Sequence, residues 1–244
     1  MNKFRRAVVS ILLKRILNIL CKIDSNEFVE ALRAAHSSGY HVLLAVNHIN
    51  FLEVPILVSY SYPLLLTGLV KAETWKNPLM AFLSDTYEAI PINRSGSFSE
   101  SFKQVHKALE NGFSVCIAPE GTRSKTGILG RGKAGIVQLA LETGAFIMPV
   151  VHFGGEHVWN NIRHFKRTSF QFKVGRPFRF SVERQHVNKE VRECMLEELM
   201  RQMAILLPEN MQGIYAETAN KEYKYLEFID WNMLSNRSPL DKAG

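Results

Sequence analysis

Two short polar segments of this 244-residue chain follow apolar runs and carry the residue types of an acid-base site. In N-H-I-N-F-L-E, His48 precedes Glu53 by five positions, and farther along A-P-E-G-T-R-S places Glu120 and Arg123 on either side of Gly121. A base, a group that orients it and an anion-binding turn allow a hydroxyl to attack an acyl donor while a phosphate is held. The two segments therefore predict acyl transfer to a phosphorylated acceptor.

The spacing of His48 and Glu53 constrains how they can meet. On a continuous helix, residues five apart point in different directions, so the pair requires a loop that folds back before a helix around Pro55. The carboxylate would then accept one ring N–H, fix the tautomer and leave the other nitrogen free as a base. The alternative is a histidine that serves only as a structural hydrogen-bond donor beside a strand.

The segment Glu120-Gly121-Thr122-Arg123 predicts a turn whose backbone N–H groups face an anion, with the arginine adding a bidentate donor. A tight turn with a surface ion pair is the alternative. Arg94 follows another short apolar segment and can reach the same edge of a sheet, although taken alone it is also typical of a solvated charge.

Several other catalytic patterns are incomplete. Residues 127–133 fit the first part of a nucleotide phosphate loop, but Ala134 stands where the motif requires Ser or Thr, and no strand precedes it directly. We therefore exclude a nucleoside triphosphatase, although Lys133 at a helix start can still contact a phosphate or the acyl donor. No G-x-S-x-G is present, and His152 and His157 do not form H-E-x-x-H.

The composition narrows the class of partner. With 30 basic and 23 acidic residues the formal charge is +7, which favours anionic partners without choosing among nucleic acid, lipid and phosphorylated ligands. We find no nucleic-acid recognition motif. The three cysteines are far apart, with no C-x-x-C pair and no metal-ligand spacing, so we expect free thiols and no metal site.

The N-terminal segment 4–23 predicts an amphipathic helix. One face is apolar and the other carries Ser10, Lys14, Arg15, Asn18 and Lys22. This pattern is typical of a helix that lies in the lipid headgroup layer, and the alternative is a helix that packs on its own domain. No run is long enough to span a bilayer, and Lys14 and Arg15 argue against a signal peptide. The apolar face consists of Val8, Val9, Leu12, Leu13, Ile16, Ile19, Leu20 and Ile23.

The remaining pattern predicts an α/β fold with a mostly parallel sheet flanked by helices, because strands alternate with helices. Both chemical segments fall just beyond the carboxyl ends of predicted strands, where such sheets bind ligands. We predict strands at 41–46, 63–70, 89–92, 113–118, 145–151, 168–174 and 179–182, and helices at about 25–36, from Pro55, and at about 98–110, 133–142 and 187–207.

Four segments, in order, resemble the glycerophospholipid acyltransferases, most closely the bacterial lysophosphatidic acid acyltransferases. Residues 47–53 resemble N-H-x-x-x-x-D, with Glu53 in the place of Asp. Residues 88–94 loosely resemble G-x-x-F-I-x-R, with Glu88 for Gly and Pro91 for the aromatic residue. Residues 118–124 resemble F-P-E-G-T-R-S, and 147–151 resemble the family's apolar strand with an internal proline. L-L-P-E-N-M-Q-G-I-Y-A also resembles a stretch common in bacterial members.

The resemblance implies a base, its holder and a phosphate site. His48 takes the proton from the free hydroxyl of a lysophospholipid as that oxygen attacks an acyl thioester, and Glu53 holds His48. The acyl donor, acyl-CoA or acyl carrier protein, is a substrate, and neither cofactor nor metal is implied. The acceptor phosphate is held by Arg94, Gly121, Thr122 and Arg123, with Glu120 shaping the loop.

On this basis, residues 1–38 are expected to form a membrane-association segment, 39–213 an α/β acyltransferase domain including the C-terminal helix, and 214–244 a tail without an assigned role. We expect a peripheral or monotopic protein on the cytoplasmic face of a membrane, with an anionic membrane surface as a partner. Two alternatives stay open: another lysolipid acceptor, such as a lysophosphatidylethanolamine or ornithine-lipid type, or a catalytically silent membrane-binding protein with the same fold.

Overall fold

The computed structural model describes residues 3–92, 99–124, 126–182, 184–218 and 221–230. These residues form eight α-helices and nine strands. In chain order they are α1 (Lys3–Leu20), β1 (Cys21–Asp24), α2 (Asn26–Ser38), β2 (Val42–Val46), α3 (Glu53–Tyr60), β3 (Leu66–Lys71), α4 (Pro78–Thr86), β4 (Ile90–Ile92), α5 (Ser99–Glu110), β5 (Ser114–Ile117), α6 (Gly135–Thr143), β6 (Phe146–Phe153), α7 (Val158–Arg163), β7 (Thr168–Val174), β8 (Phe178–Phe180), α8 (Lys189–Ala204) and β9 (Leu226–Phe228).

The strands form one sheet in the order β1-β7-β6-β2-β5-β3-β4, with β8 paired to β6 and β9 to β8. The five strands from β6 to β4 are mutually parallel, whereas β7 and β8 run antiparallel to β6. The predicted α/β class with a mostly parallel sheet is thus confirmed.

The sheet is buried on both faces. Successive residues of β2 enter two different cores: Leu43 and Ala45 pack with α5, α6 and α8, whereas Leu44 and Val46 pack with α1, α2 and α3. This double burial explains why β2 reads as a continuous apolar run in the sequence rather than an alternating one.

The N-terminal helix ends earlier than its sequence pattern predicts. It stops at Leu20, and Cys21–Asp24 turns into the edge strand β1 beside β7. The guanidinium of Arg167 donates to the carbonyl oxygens of Asn18 and Cys21, both at 2.6 Å, and thereby satisfies backbone acceptors at this transition. The periodicity of apolar residues could not predict this end of the helix, because Arg167 is distant from it in sequence.

The apolar face of α1 is also divided differently from the prediction. Val9 and Leu17 are buried against the domain together with two polar residues, Arg6 and Ser10, although the sequence pattern placed Ser10 on the polar face. The Arg6 guanidinium donates to the Leu66 carbonyl oxygen at 2.8 Å, and the Ser10 hydroxyl is hydrogen-bonded to the Tyr87 hydroxyl at 2.9 Å. A second stripe, Val8, Leu12, Ile16 and Ile19, stays exposed.

The C-terminal residues 221–230 are part of the fold. They lie on α8, where the Glu198 carboxylate accepts the backbone N–H groups of Lys224 and Tyr225. They then continue into β9, which extends the sheet beside β8. The sequence pattern did not predict β9, β1, α4 or α7.

Candidate active site

The site lies at the carboxyl ends of three neighbouring parallel strands. His48 follows β2, Glu120 follows β5, and His152 lies near the end of β6. Because β2 is between the other two strands, His48 is flanked by groups from both sides. The strand order therefore creates the site from residues that are up to about a hundred positions apart.

The structure brings His48 and Glu53 together. The Nδ1 atom of His48 is hydrogen-bonded to Oε1 of Glu53, and Glu53 is the first residue of α3. The loop before α3 folds back as the spacing required, although the helix begins at Glu53 and not after residue 54. With Nδ1 engaged, Nε2 is the free ring nitrogen of a side chain that is 27% exposed.

Glu53 is buried and has three further partners. Its Oε2 atom accepts the backbone N–H groups of Ile49, at 2.9 Å, and Asn50, at 3.2 Å, and lies 2.8 Å from Nε2 of His152. Burial by itself raises the pKa of this carboxyl, but the hydrogen bonds from His152 and His48 outweigh burial and lower the pKa to about 2. Glu53 is thus an ionised carboxylate at neutral pH.

Asn47 fixes the end of β2 to β6. Its side-chain amide donates to the carbonyl oxygen of His152 at 2.9 Å, and its side-chain oxygen accepts the His152 N–H at 2.8 Å. This pair of bonds continues the parallel ladder through a side chain where the two strands diverge. Asn47 thereby holds His48 and His152 on their respective sides of Glu53.

Glu120 joins two loops around His48. Its carboxylate accepts the backbone N–H of His48 at 3.0 Å and that of Gly130 at 2.8 Å. Burial raises the pKa of Glu120, although these two hydrogen bonds act in the opposite direction. The sequence placed Glu120 among the phosphate-binding residues, whereas the structure engages its carboxylate with backbone donors. A carboxylate bonded in this way links the His48 loop to the loop at Gly130.

The turn after β5 is bonded directly to the His48 loop. The backbone N–H of Ser124 donates to the carbonyl oxygen of His48 at 2.7 Å, so the turn contacts both main-chain polar groups of His48. Thr122 and Arg123 are exposed beside this contact. A cavity of about 340 Å³ opens here, lined by Glu120, Thr122, Ser124, Thr126, Ile128, Leu129, Gly130 and Arg131.

Gly121 and Lys133 lie against each other at the same turn. Gly121 has a φ of 65°, and an added Cβ would come within 3.2 Å of the Lys133 side chain, including Nζ. The backbone N–H of Lys133 donates to the carbonyl oxygen of Pro119 at 2.8 Å. The ammonium group of this exposed lysine is therefore beside the turn in which Arg123 lies.

The glycine-rich segment 127–133 is engaged by contacts within the protein. Its Gly130 N–H is directed at Glu120, and Gly132 packs where a Cβ would be 2.8 Å from the sulfur of Met200. The C-terminal stretch supports this segment, because the carbonyl oxygen of Met211 accepts the N–H of Leu129 at 2.8 Å. The stretch that resembles bacterial relatives therefore supports the Glu120 loop.

The second motif is described only in part. Arg94 lies outside the described residues. Glu88, in the place of the family glycine, is exposed and has a φ of 54°, a left-handed conformation that glycine adopts without steric cost. The position thus keeps the backbone conformation expected of glycine while carrying a side chain, and its carbonyl oxygen accepts the hydroxyl of Thr67 at 2.7 Å.

Sequence reasoning overlooked His152 as a site residue. The available signal was its place at the end of an apolar strand, directly after M-P-V-V. Within the described part of the chain, no cluster of His, Cys, Asp and Glu has the geometry of a metal site. Among the same residues, no helix combines the length and apolarity needed to cross a bilayer.

Fold and site together define an α/β protein with an imidazole–carboxylate pair bonded to a cationic turn. Residues 27–152, more than half of the chain, match the family model described as Acyltransferase. The chain belongs to the acyltransferase family.

Curated relatives are similar over part of their length. The chloroplastic 1-acyl-sn-glycerol-3-phosphate acyltransferase LPAT1 of Arabidopsis thaliana is 29% identical over 128 residues, 52% of this chain and 35% of that protein. The 1-acyl-sn-glycerol-3-phosphate acyltransferase of Borreliella burgdorferi is 30% identical over 112 residues, 45% of this chain and 44% of that protein. The chain therefore spans less than half the length of these relatives.

A solved structure shares the fold. The 1-acyl-sn-glycerophosphate acyltransferase PlsC from Thermotoga maritima superimposes with a TM-score of 0.57 and 17% sequence identity, over 90% of this chain and 81% of that chain. At this identity the similarity supports the architecture, and the chemistry has to be argued from the residues of the site.

Proposed function

We propose that this chain moves a fatty acyl group from an acyl thioester to the free hydroxyl of lysophosphatidic acid, giving phosphatidic acid. The observation that carries the proposal is the double contact between His48 and the cationic turn, through Glu120 and Ser124. This contact sets a general base at a fixed distance from an anion site, which an acceptor with both a hydroxyl and a phosphate requires. The names of the curated relatives support the same acceptor.

The proposed reaction uses both nitrogens of His48. Glu53 accepts the Nδ1–H, and Nε2 takes the proton of the acceptor hydroxyl as its oxygen attacks the thioester carbonyl. The tetrahedral intermediate collapses with cleavage of the carbon–sulfur bond, and the leaving thiolate receives the proton from Nε2. The ionised Glu53 stabilises the imidazolium that exists between these two steps.

Phosphate binding is assigned to the turn and its surroundings. The guanidinium of Arg123, the hydroxyl of Thr122 and the backbone at Gly121 offer a charged donor and neutral donors, and Lys133 adds a second cation beside them. Arg94 is assigned to this set by resemblance alone. Glu120 contributes indirectly, because it holds the loops at either side of the cavity.

Membrane association is assigned to α1 and the adjoining α4. Exposed apolar side chains continue from α1 onto Leu79, Met80 and Phe82 of α4, and the Arg5 guanidinium links the helices by contacting the Phe82 ring and the Asp85 carbonyl oxygen. Apolar side chains with a basic rim favour an anionic lipid surface. We place this surface on the cytoplasmic side, with the protein peripheral or monotopic.

An acceptor panel tests the proposed reaction. Lysophosphatidic acid, lysophosphatidylethanolamine and a lyso-ornithine lipid with equal acyl chains are compared with acyl-CoA and acyl carrier protein donors, and the lipid product is identified by mass spectrometry. We expect phosphatidic acid as the preferred product with at least one donor. A preference for an acceptor without the bare phosphate would reject the lysophosphatidic acid assignment. Absence of turnover with every pair would favour the silent membrane-binding alternative.

A vesicle-flotation experiment tests the membrane surface. Ile16→Glu introduces a charge into the exposed stripe of α1, and Ile205→Glu makes the same change after α8, on the opposite side of the sheet. We expect Ile16→Glu to weaken binding to anionic vesicles by about tenfold or more, since burying one such side chain contributes about 1.5–3 kcal/mol. Equal binding of the two variants would contradict this surface.

A further inference from the structure

Glu53 is hydrogen-bonded to two imidazoles, one on each carboxylate oxygen. His48 contacts Oε1, and Nε2 of His152 lies 2.8 Å from Oε2 and 3.0 Å from the carbonyl oxygen of Asn47. Both neighbours of this Nε2 are acceptors, so Nε2 carries the hydrogen and donates it. His152 thus presents an N–H to the face of the carboxylate opposite His48.

The surroundings of His152 favour a single neutral tautomer. The side chain is fully buried, the rings of Phe170 and Phe172 flank it, and its Nδ1 atom has no hydrogen-bond partner in the described part of the chain. A second N–H at Nδ1 would be buried without an acceptor, which costs free energy. The imidazole is therefore held as the Nε2–H form, directed at Glu53.

This geometry gives a physical reason for glutamate in the place of the family aspartate. The carboxylate extends from the first turn of α3 and lies between two rings, one from the loop after β2 and the other from β6. Aspartate is shorter by one methylene, so from the same backbone position it would contact one ring and leave the other. The departure from the family motif and the second histidine thus form one arrangement.

We propose that His152 is a positioning residue of the acyl-transfer reaction, which donates from Nε2 to Glu53 and holds that carboxylate against the His48 Nδ1–H. The functional unit is then His48–Glu53–His152. This inference rests on the proposed function for its kinetic test. The titratable groups that face the unit are the thiol of Cys116 on β5 and the carboxyl of Glu120.

Two substitutions of His152 distinguish the effect of its Nε2–H donor from the effect of its buried ring. His152→Phe keeps a flat buried ring but removes the N–H, whereas His152→Gln retains an N–H near the position of Nε2. We expect His152→Phe to lower kcat by about 10–100-fold with little change in the KM for the acceptor, because small displacements of catalytic groups cost up to about 10². We expect His152→Gln to recover most of this loss.

A pH profile separates positioning from mere packing. Without the Nε2–H donor the Glu53 carboxylate is more basic, so the coupled His48–Glu53 pair takes up its proton at higher pH. The acidic limb of kcat/KM in His152→Phe should therefore move to higher pH, while that of His152→Gln stays close to wild type. His36→Gln is the matched control, since this half-buried histidine contacts the Leu65 carbonyl oxygen at the other end of the sheet. An unmoved acidic limb in His152→Phe would overturn the proposal.

A double-mutant cycle tests the reason for glutamate. Glu53→Asp should reduce kcat by a larger factor in wild type than in the His152→Phe background. In that background the carboxylate has one imidazole left to contact, that of His48. Equal factors in the two backgrounds would show that Glu53 and His152 act independently and would overturn the proposal.

A spectroscopic readout keeps the inference separate from the proposed function. The ¹⁵N chemical shifts of the His152 ring report its tautomer whether or not the protein transfers acyl groups. We expect a neutral Nε2–H ring whose ¹⁵N signals shift in Glu53→Gln. An Nδ1–H tautomer, or ¹⁵N chemical shifts that are unchanged in Glu53→Gln, would overturn the inference even if acyl transfer is observed. Absence of acyl transfer with an Nε2–H ring would refute only the proposed function.

Discussion

Two buried carboxylates lie on either side of His48 and differ in their partners. Glu53 and Glu120 are 3% and 4% exposed, and burial raises the pKa of each. Glu53 contacts two imidazoles and two backbone N–H groups, and its pKa falls to about 2. Glu120 accepts the backbone N–H groups of His48 and Gly130, and its pKa remains raised.

The contrast shows that the partners, and not burial, decide what each carboxylate can do. Glu53 is ionised and adjacent to the ring that becomes an imidazolium in the proposed reaction, so it can stabilise charge during that reaction. Glu120 is bonded to main-chain groups and determines where His48 and the cavity wall lie. One carboxylate is suited to electrostatic support of the proposed base, and the other to maintaining the distance between that base and the proposed phosphate site.

The largest expected effect separates the two carboxylates by activity. Glu53→Gln removes the charge that supports the His48 imidazolium and favours the wrong tautomer, so we expect kcat to fall by about 10³–10⁴. Glu120→Gln places an amide N–H against a backbone N–H and displaces the loop, with an expected loss of about 10–100-fold that includes a higher KM for the acceptor. Steady-state kinetics measure both.

The opposite ranking, or equal losses confined to kcat, would contradict the division of roles between the two carboxylates. Glu156→Gln is a suitable control, because this carboxylate contacts the Gly154 N–H near the site but does not contact His48.

The second expected effect is that Glu53 and Glu120 change the stability of the protein in opposite directions as the pH rises. The folded pKa of Glu53 is lowered from 4.5 to about 2, so its contribution of roughly 3 kcal/mol is present above pH 4.5 and is lost as the pH falls toward 2. The folded pKa of Glu120 is raised above 4.5, so its contribution is present below pH 4.5 and is lost as the pH rises through the folded pKa. Urea unfolding across this range measures the free energies.

The free energy of unfolding of wild type minus that of Glu53→Gln should therefore increase with rising pH. The corresponding difference between wild type and Glu120→Gln should decrease. Two differences of the same sign would show that the two carboxylates are equivalent in the folded protein.

The third expected effect concerns the proposed phosphate site. Arg123→Ala removes a charged donor, which is worth about 1.5–3 kcal/mol, so we expect the KM for lysophosphatidic acid to rise by about 10–100-fold with a smaller change in kcat. High salt should weaken the binding of lysophosphatidic acid to wild type and reduce the difference in KM between wild type and Arg123→Ala. Lys189→Ala on α8 removes the same charge far from the turn and serves as the control. A loss confined to kcat would place Arg123 on the catalytic side.

The elements that bear the site could be predicted from sequence to different degrees. The strands that deliver His48 and Glu120 were predictable, because each is an apolar run that ends abruptly in polar residues. The role of His152 was not, because it depends on β6 lying next to β2, and strand order is a long-range property. Likewise, the residues of β1 continue the apolar periodicity of α1 in the sequence. They form a strand because they pair with β7 and because Arg167 binds the Cys21 carbonyl oxygen.

The smallest expected effect lies outside both carboxylate regions. Glu88 occupies the left-handed region at a φ of 54°, which costs a non-glycine residue about 1–2 kcal/mol. Glu88→Gly relieves this cost but adds flexibility to the unfolded chain, so we expect a net stabilisation of up to about 1 kcal/mol in urea unfolding and no change in the pH profile. A destabilised variant would mean that the Glu88 side chain contributes contacts of its own.

The most direct measurement compares wild type, His48→Ala and His157→Ala in lysophosphatidic acid-dependent thiol release from an acyl thioester on anionic vesicles. His157 is an exposed histidine at the start of α7 and provides the matched control. If His48 is the general base, kcat/KM falls by about 10²–10⁴ in His48→Ala and stays near wild type in His157→Ala. Acceptor-dependent release that survives in His48→Ala would contradict the assignment of the base, and with it the proposed reaction.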